Sequence, residues 1–465
     1  MNATKIFLEY KEIDDASRLN KTKVRDIVEV HSDKRVAKLQ LQELIVQASR
    51  EKAKISVAGS RYSMGGHVMT PEGIVLDLSS FNHMSLDISR NILKVGSGAI
   101  WRDVLNYLND YGRSVAVMQS DYDFSVGGSI SVNCHGLQTR TPPISSTVES
   151  FELLKPDGEV VICSRLENAE LFSLALGGYS LFGVILEVEL KVVANSYLRM
   201  TSLYVPVEEF PETYEKYCSD EKVEAIYGRL NIVPEELLQT AILKIFTRST
   251  NNHGALKNEL CVRPCEKEYA KIFRDQEGSD IGKRNRWDIE KVSGSDIDKI
   301  QYISRNELFN GSAAMYLNQS SKSTDILQEY FVDKERFMDF VEASRELSVK
   351  YNQEILNVTV RYVNKDQDTF LNYARENCIS LVYLFVQKKS DEGEASMKAM
   401  TQELVDKVRE VKGTYYLPYR LHASNQQFHK IYPKAKEFFM LKRCYDPEEI
   451  FQNNFYKCYG SKRRV

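Results

Sequence analysis

No charge of one sign dominates this chain: 62 Lys and Arg nearly cancel 65 Asp and Glu, leaving a net charge of −3. No global positive field is available to gather nucleic acid. No run of 18 apolar residues occurs, and the longest apolar stretches, such as Ile379 to Val386, have the length of a strand. A membrane-spanning helix is therefore not expected. The opening MNATKIFLEYKEIDD is charged early and has no apolar core, so no secretory signal is read there. There is no internal repeat and no low-complexity segment.

Paired metal ligands are scarce too. The eight cysteines (Cys134, Cys163, Cys218, Cys261, Cys265, Cys378, Cys444 and Cys458) are dispersed. That is the pattern of reduced intracellular thiols, and a cytoplasmic location is expected. Cys261 and Cys265 form one C-x3-C pair near His253, but no second pair completes the four ligands of a zinc site. No metal is expected. Neither G-x4-G-K-[ST], H-E-x-x-H nor G-x-S-x-G occurs, which argues against a P-loop, a zincin and a nucleophile elbow. Gly96-Ser97-Gly98 offers G-x-G, but Trp101 takes the third glycine position and no repeated β-α-β pattern follows. A nicotinamide fingerprint is rejected on both grounds.

What is present is an ordinary globular composition, 43% hydrophobic and 27% charged over 465 residues. At roughly 150 residues per domain this predicts two or three folded units. Residues 36 to 51 carry apolar positions at helical spacing, and ISVAGS reads as a strand entering a turn. LDISRNILKVGSG reads as a hairpin, AIWRDVLNYLNDYG as a helix stopped at Gly112, and SVAVMQS as a strand. VESFELLKPDGEVVICS is a hairpin around Pro156-Asp157-Gly158. A long strand follows in VILEVELKVV. Further on, ILQEYFVDKERFMDFVEASREL predicts a strand then a helix. ILNVTVRYV and CISLVYLFVQ predict two strands separated by a charged, helical segment, and SMKAMTQELVDKVREVKG predicts a helix closed by Gly413. This order predicts an α+β fold with an antiparallel sheet in its second half.

Three glycine-rich turns sit at strand–helix junctions: Gly59 to His67, Ser125 to Ser129, and Gly177 to Gly183. Glycine allows close backbone approach and φ > 0. Backbone N–H groups in such turns cradle phosphates.

AGSRYSMGGH, VLDLSSF, VGSGAIWRDVL, SVGGSISVNCHG and LGGYSLFGVILEVEL occur in this order. Together they resemble the FAD-binding domain of the vanillyl-alcohol oxidase/p-cresol methylhydroxylase (PCMH-type) family. YYLPYRLHAS and FHKIYPKAKEFFMLKRCYDPEEIFQNNFYKCYG resemble the C-terminal part of its aldonolactone-oxidase-like and decaprenylphosphoryl-ribose-oxidase-like branches. The resemblance implies a PCMH-type FAD-binding domain over 1–196, an α+β substrate or cap domain with an antiparallel sheet over 197–420, and a segment returning to the FAD domain over 421–465. It implies FAD contacts at Gly59, Ser60, Arg61, Tyr62 and Ser63 in the first loop. In the second they fall at Ser125, Gly127, Gly128, Ser131, His135 and Gly136, and in the third at Gly183 and Ile185. Many relatives carry, before the serine, a histidine bonded covalently to the flavin; here Tyr62 stands there, so noncovalent FAD is expected. Tyr416 is implied at the flavin, and Tyr419 and Arg420 at the substrate. Tyr419 stands where the decaprenylphosphoryl-ribose oxidases carry a lysine, and their cysteine on a preceding strand has no counterpart in SLVYLF, where Val382 is nearest.

The implied activity is oxidation of a CH–OH group of a sugar, lactone or polyol-like small molecule by hydride transfer to flavin N5, with the electron acceptor left open. The catalytic base is expected to be Tyr419, its pKa lowered by Arg420, or else His135. A flavin-dependent C=C reductase using NAD(P)H and a non-catalytic FAD protein remain as alternatives.

Overall fold

The computed structural model describes residues 10–249, 260, 266–292, 302–313 and 317–461. The grouping of Cys261, Cys265 and His253 and the basic tail 462–465 lie outside them.

Three sheets position the site. The first is parallel, with Ile74–Asp77 between Asp26–Glu29 and Ile55–Ala58. The crossover is the helix Lys34–Glu51. It starts where the Asp33 side chain accepts the amides of Arg35 and Val36, and it ends at Lys52 in a left-handed conformation. Ala37, Leu41, Ile45 and Ala48 are its buried residues, and their three- and four-residue spacing seats one face on the sheet. Truncating Leu41 to Ala in this seam costs ~2–5 kcal/mol.

The second sheet is antiparallel, in the order Val160–Ser164, Val148–Leu154, Val184–Ala194, Ile92–Gly96, Met84–Asp87. Both predicted hairpins are here, turning at Asn91 and Gly158, each with positive φ. Of the SVAVMQS stretch only Ser114 and Val115 are strand, within Arg113–Val115, on the far half of Val184–Ala194.

The third sheet has eight antiparallel strands. Their order is Tyr302–Ser304, Tyr197–Pro206, Thr240–Arg248, Val223–Leu230, Glu354–Val363, Cys378–Lys388, Ser323–Val332, Thr414–Tyr415. The helices Phe337–Lys350 and Asp391–Glu410 pack on each other behind it. The fold class is α+β, as the element order predicts.

One element differs. The segment between Glu354–Val363 and Cys378–Lys388 forms no helix. Asp366 Oδ1 instead accepts the amides of Asp368 (2.9 Å) and Thr369 (3.3 Å), while its other oxygen accepts Asn133 Nδ2 at 3.0 Å. A carboxylate bonding its own following amides competes with the helical ladder. This one also ties the loop to the second glycine turn.

The chain's last part returns to the first sheet. Ile55 N–H donates to Ile450 O (2.7 Å) and Gln452 N–H to Ile55 O (2.8 Å). The turn before it is held by Asp446, fully buried with Lys442, whose oxygens accept the amides of Ile450 and Phe451 at 2.9 Å. Among the described residues no helix is long and apolar enough to cross a membrane, and no three His, Cys, Asp or Glu gather as metal ligands.

Candidate active site

A cavity of about 1250 Å³ runs between the glycine turns and one face of the eight-stranded sheet. A pocket for one small molecule spans roughly 300–1,000 Å³, so this one has room for a large cofactor and a substrate.

The first loop leaves Ile55–Ala58 at Gly59. A Cβ there would lie 2.0 Å from Ser125 Oγ, so the first and second loops touch only because residue 59 has no side chain. Arg61 takes φ +61° and its guanidinium meets Asp77 at 3.0 Å. The loop is pinned at both ends: Ala16 N–H donates to Arg61 O (3.1 Å), Met64 N–H to Pro418 O (2.8 Å) and Gly66 N–H to Asp15 Oδ2 (2.8 Å). Between these pins, the N–H groups of Ser60, Arg61, Tyr62 and Ser63 donate to no described residue. All four residues line the cavity, and the Ser63 hydroxyl is buried without a hydrogen bond. Successive free amides around a tight turn form a concave anion site.

The second loop does a different job from the one its composition suggests. Ser125 caps the short helix Val126–Ser131, its Oγ accepting Gly128 N–H at 3.3 Å. Val126 and Gly127 N–H groups donate to Ala99 O and Ser97 O, both at 2.8 Å. These amides are spent inside the protein, so Gly127 and Gly128 admit a close neighbour without binding it. The third loop docks onto this helix through Gly177 N–H to Ile130 O and Tyr179 N–H to Ser131 O, each 3.0 Å.

Of the residues singled out from the sequence, Gly59, Ser60, Arg61, Tyr62, Ser63, Ser125, Gly127, Gly128, Ser131, His135, Ile185, Tyr416 and Tyr419 all line this one cavity. Gly136 and Gly183 do not; each packs against a carbonyl, Met118 O and Leu154 O, that a Cβ would strike at 2.0 and 2.2 Å. They shape the loops rather than touch a ligand. The Tyr62 ring packs tilted against Phe124, centroids 4.5 Å apart, and burial pushes its phenol up to about 12.

Arg420 requires a correction. Its guanidinium turns away from the cavity, to Asn20 Oδ1 at 2.8 Å and to Glu394 at 2.5 Å, and Glu394 also meets His422. It does not serve Tyr419. Burial, reinforced by the Glu329 carboxylate, holds the Tyr419 phenol well above its usual range, with Arg361 the opposing cation. A lowered tyrosine pKa is therefore overturned: the hydroxyl keeps its proton and sits 3.4 Å from Glu329 Oε2.

The sequence reading missed Glu329 and Arg361. Glu329 is 3% exposed on Ser323–Val332, and its Oε1 lies 2.6 Å from His135 Nε2. Burial disfavours its charge, but the His135 ring and Arg361 reverse this and hold the carboxyl below its usual range. An ionised carboxylate only accepts. Nε2 therefore donates to Glu329, while Nδ1 makes no hydrogen bond. Arg361 lines the same space and bonds Ser120 Oγ at 2.7 Å. A signal for both was present: a carboxylate inside the apolar run ILQEYFV, and polar residues at every second position of ILNVTVRYV.

The site fits FAD: a chain of free amides and a buried unpaired hydroxyl for a pyrophosphate, loops whose approach a Cβ would block, and adequate volume. Comparison with known proteins agrees. Residues 34–164 match the FAD binding domain family. L-galactono-1,4-lactone dehydrogenase of Arabidopsis thaliana is 28% identical over 182 residues, 39% of this chain and 30% of that protein. An FAD-linked oxidoreductase of Aspergillus niger is 27% identical over 230 residues, 49% of this chain and 47% of its own. Cytokinin dehydrogenase 9 of Oryza sativa subsp. japonica is 27% identical over 174 residues, 36% and 33%. The chain thus matches less than half the length of each of these relatives. Residues 34–164 thus carry an FAD-binding domain similar to those of PCMH-type flavoproteins, with FAD as its cofactor.

Proposed function

We propose that this oxidoreductase removes hydrogen from a CH–OH group of a sugar, lactone or polyol-like substrate. The observation that carries the reading is the buried His135–Glu329 pair, at 2.6 Å, in the cavity that the glycine loops also line. The names of the L-galactono-1,4-lactone dehydrogenases support a lactone or sugar. FAD, when bound, supplies the hydride acceptor at flavin N5.

The chain's own residues handle the proton. His135 Nδ1 takes it from the substrate hydroxyl, so that loss of hydride from carbon and proton from oxygen leaves a carbonyl. Glu329 fixes the tautomer of His135 and stabilises its cation, the role of a carboxylate behind a general base. Tyr419 and Arg361 hold the substrate oxygen beside them. Loop residues Ser60 to Ser63 hold the pyrophosphate, and Tyr62 leaves the flavin noncovalently bound. We assign FAD binding to 1–196, the substrate roof to 197–420 and the returning segment to 421–465. The eight-stranded sheet beginning its long strands at Tyr197 supports this division.

The test is anaerobic mixing of the holoenzyme with sugars, lactones, polyols and NADPH while following the flavin's visible absorption. Bleaching by a hydroxylated compound is the expected result. Bleaching by NADPH alone points to a C=C reductase, and no bleaching by any reductant to a non-catalytic flavoprotein.

A further inference from the structure

A second, smaller crevice of about 390 Å³ opens where the second sheet meets the eight-stranded one, and it shares no described lining residue with the larger cavity. At this size it takes a compact molecule. Ala116, which follows Arg113–Val115, and Ala194, which ends Val184–Ala194, form one wall. Glu224 and Arg248, the last residue of Thr240–Arg248, belong to the other. Val223 and Ala225 pair across to Thr247 and Phe246, so Glu224 is the extra residue of a bulge. A bulge re-aims a side chain, and here the carboxylate meets Arg305 Nη1 at 2.9 Å and also Arg248.

Among the described residues lining the crevice, three are arginines and Glu224 is the one carboxylate. Arg305, 4% exposed, begins the short helix Arg305–Leu308 and is locked across the boundary. Its Nε donates to Val115 O at 3.3 Å and its Nη2 to Ala116 O at 2.9 Å. Burial lowers the Arg305 pKa; Glu224 opposes this and Arg248 adds to it. Among the described residues Arg140 pairs with no carboxylate. It donates to the backbone carbonyls of Asp220 (2.8 Å) and Glu221 (2.9 Å), while Asp220 Oδ1 accepts Lys222 N–H at 2.9 Å. Carbonyls orient a guanidinium without cancelling its charge. One carboxylate shared by Arg248 and Arg305, with Arg140 beside them, leaves positive charge in excess. Gln138 gives an independent sign: it lines the crevice, is 5% exposed, and its amide nitrogen has no hydrogen-bond partner. A buried donor left without an acceptor is costly and calls for one.

We propose that this crevice binds a compact dianion, a phosphate or a small dicarboxylate, held by Arg140, Arg248 and Arg305 with the Gln138 amide as a further donor. Arg140 and Arg248 keep N–H groups beyond those already bonded, and a guanidinium fork matches the oxygens of an oxyanion. Gln138 and Arg140 lie on the segment that leaves the second glycine loop, and Arg248 on the eight-stranded sheet. The bound anion therefore ties the two halves of the molecule together. The site is independent of the reaction at the flavin.

The experiment is calorimetric titration of the FAD-loaded protein, whose pyrophosphate cradle is already filled, with inorganic phosphate, malonate and chloride. Ionic strength is held constant, so that general screening does not differ between them. Phosphate or malonate should bind and chloride should not, and the tighter of the two tells a phosphate ligand from a dicarboxylate. The same anion should raise the Tm of the holoenzyme. Arg140→Gln and Arg248→Gln should each weaken binding at least roughly tenfold, with FAD content and the bound-flavin spectrum unchanged. Should Arg248→Gln unsettle the fold by releasing Glu224, Arg140→Gln decides alone, because Arg140 is exposed and holds no carboxylate. A wild type that binds neither phosphate nor malonate, chloride that binds equally well, or an Arg140→Gln protein that binds as tightly as the wild type each overturns the proposal.

Discussion

His135 Nε2 and Glu329 Oε1 lie 2.6 Å apart, 5% and 3% exposed, although 194 residues separate them in the chain. His135 follows the second glycine loop and Glu329 belongs to the eight-stranded sheet. The pair therefore joins the two halves of the cavity, and its proton position follows from the ionised state of Glu329.

Glu329→Gln keeps the size of the side chain and removes its charge. We expect flavin bleaching by substrate to slow by ~10²–10⁴, the usual worth of general base catalysis, with FAD still bound. Tyr419→Phe removes one 3.4 Å hydrogen bond and should cost roughly tenfold or less. Stopped-flow absorption separates the two. Equal effects would sink the assignment of the base to the His135–Glu329 pair.

Gly59→Ala introduces a Cβ 2.0 Å from Ser125 Oγ and 2.9 Å from Ser125 Cβ. The loops must part, and FAD uptake should fall while the chain stays folded. Ser125→Gly in the same chain removes both struck atoms and should restore part of the uptake. Flavin absorbance per protein after gel filtration reads this directly.

FAD is expected to leave the protein on acid precipitation and appear in the supernatant. Tyr62→Phe should not alter this, because the phenol, pushed up to about 12 by burial, is a neutral packing group against Phe124. Flavin retained in the pellet of the wild type would contradict noncovalent binding.

Glu187 links the helix Lys34–Glu51 to the second sheet, through His83 at 2.7 Å and Lys34 at 2.9 Å. The His83 hydrogen bond and then Lys34 lower its carboxyl from 4.5 to about 2, against burial. The folded state thus binds this proton less well than the unfolded one. The contribution is complete above pH 4.5 and is lost as pH falls toward 2, and is on the order of 2–3 kcal/mol at most. Glu187→Gln should lower Tm at pH 7 and converge with the wild type at the acid end. A constant difference in Tm across that window would refute the linkage.

Lys442 and Asp446 are 0% and 1% exposed. Lys442→Met leaves a buried carboxylate with only the amides of Ile450 and Phe451. The expected loss is ~3–5 kcal/mol, read as a lower urea midpoint at unchanged slope. The double change Lys442→Met, Asp446→Leu should recover part of the charge penalty.

The sequence by itself determined what is local. The hairpin at Pro156-Asp157-Gly158 and the stop at Gly112 follow from short-range conformational preference, and Gly112 and Gly158 do adopt positive φ. The first glycine loop was legible because close approach requires missing side chains, whatever lies opposite. The segment 364–377 was misread as helix because a charged composition does not show that Asp366 will accept the amides of Asp368 and Thr369. Tertiary structure decided the chemistry. Alternation along ILNVTVRYV shows that Asn357, Thr359 and Arg361 share a face, but strand pairing sets their neighbours, and the pairing of Thr359 with Arg229 and with Val382 turns that face to the cavity. Tyr419 and Arg420 are adjacent in the chain, yet one lines the cavity and the other bonds Asn20 and Glu394. Leu417 and Pro418 form a turn and the chain bends at Tyr419, so a pair that reads as a single site in sequence is divided between two environments in the fold.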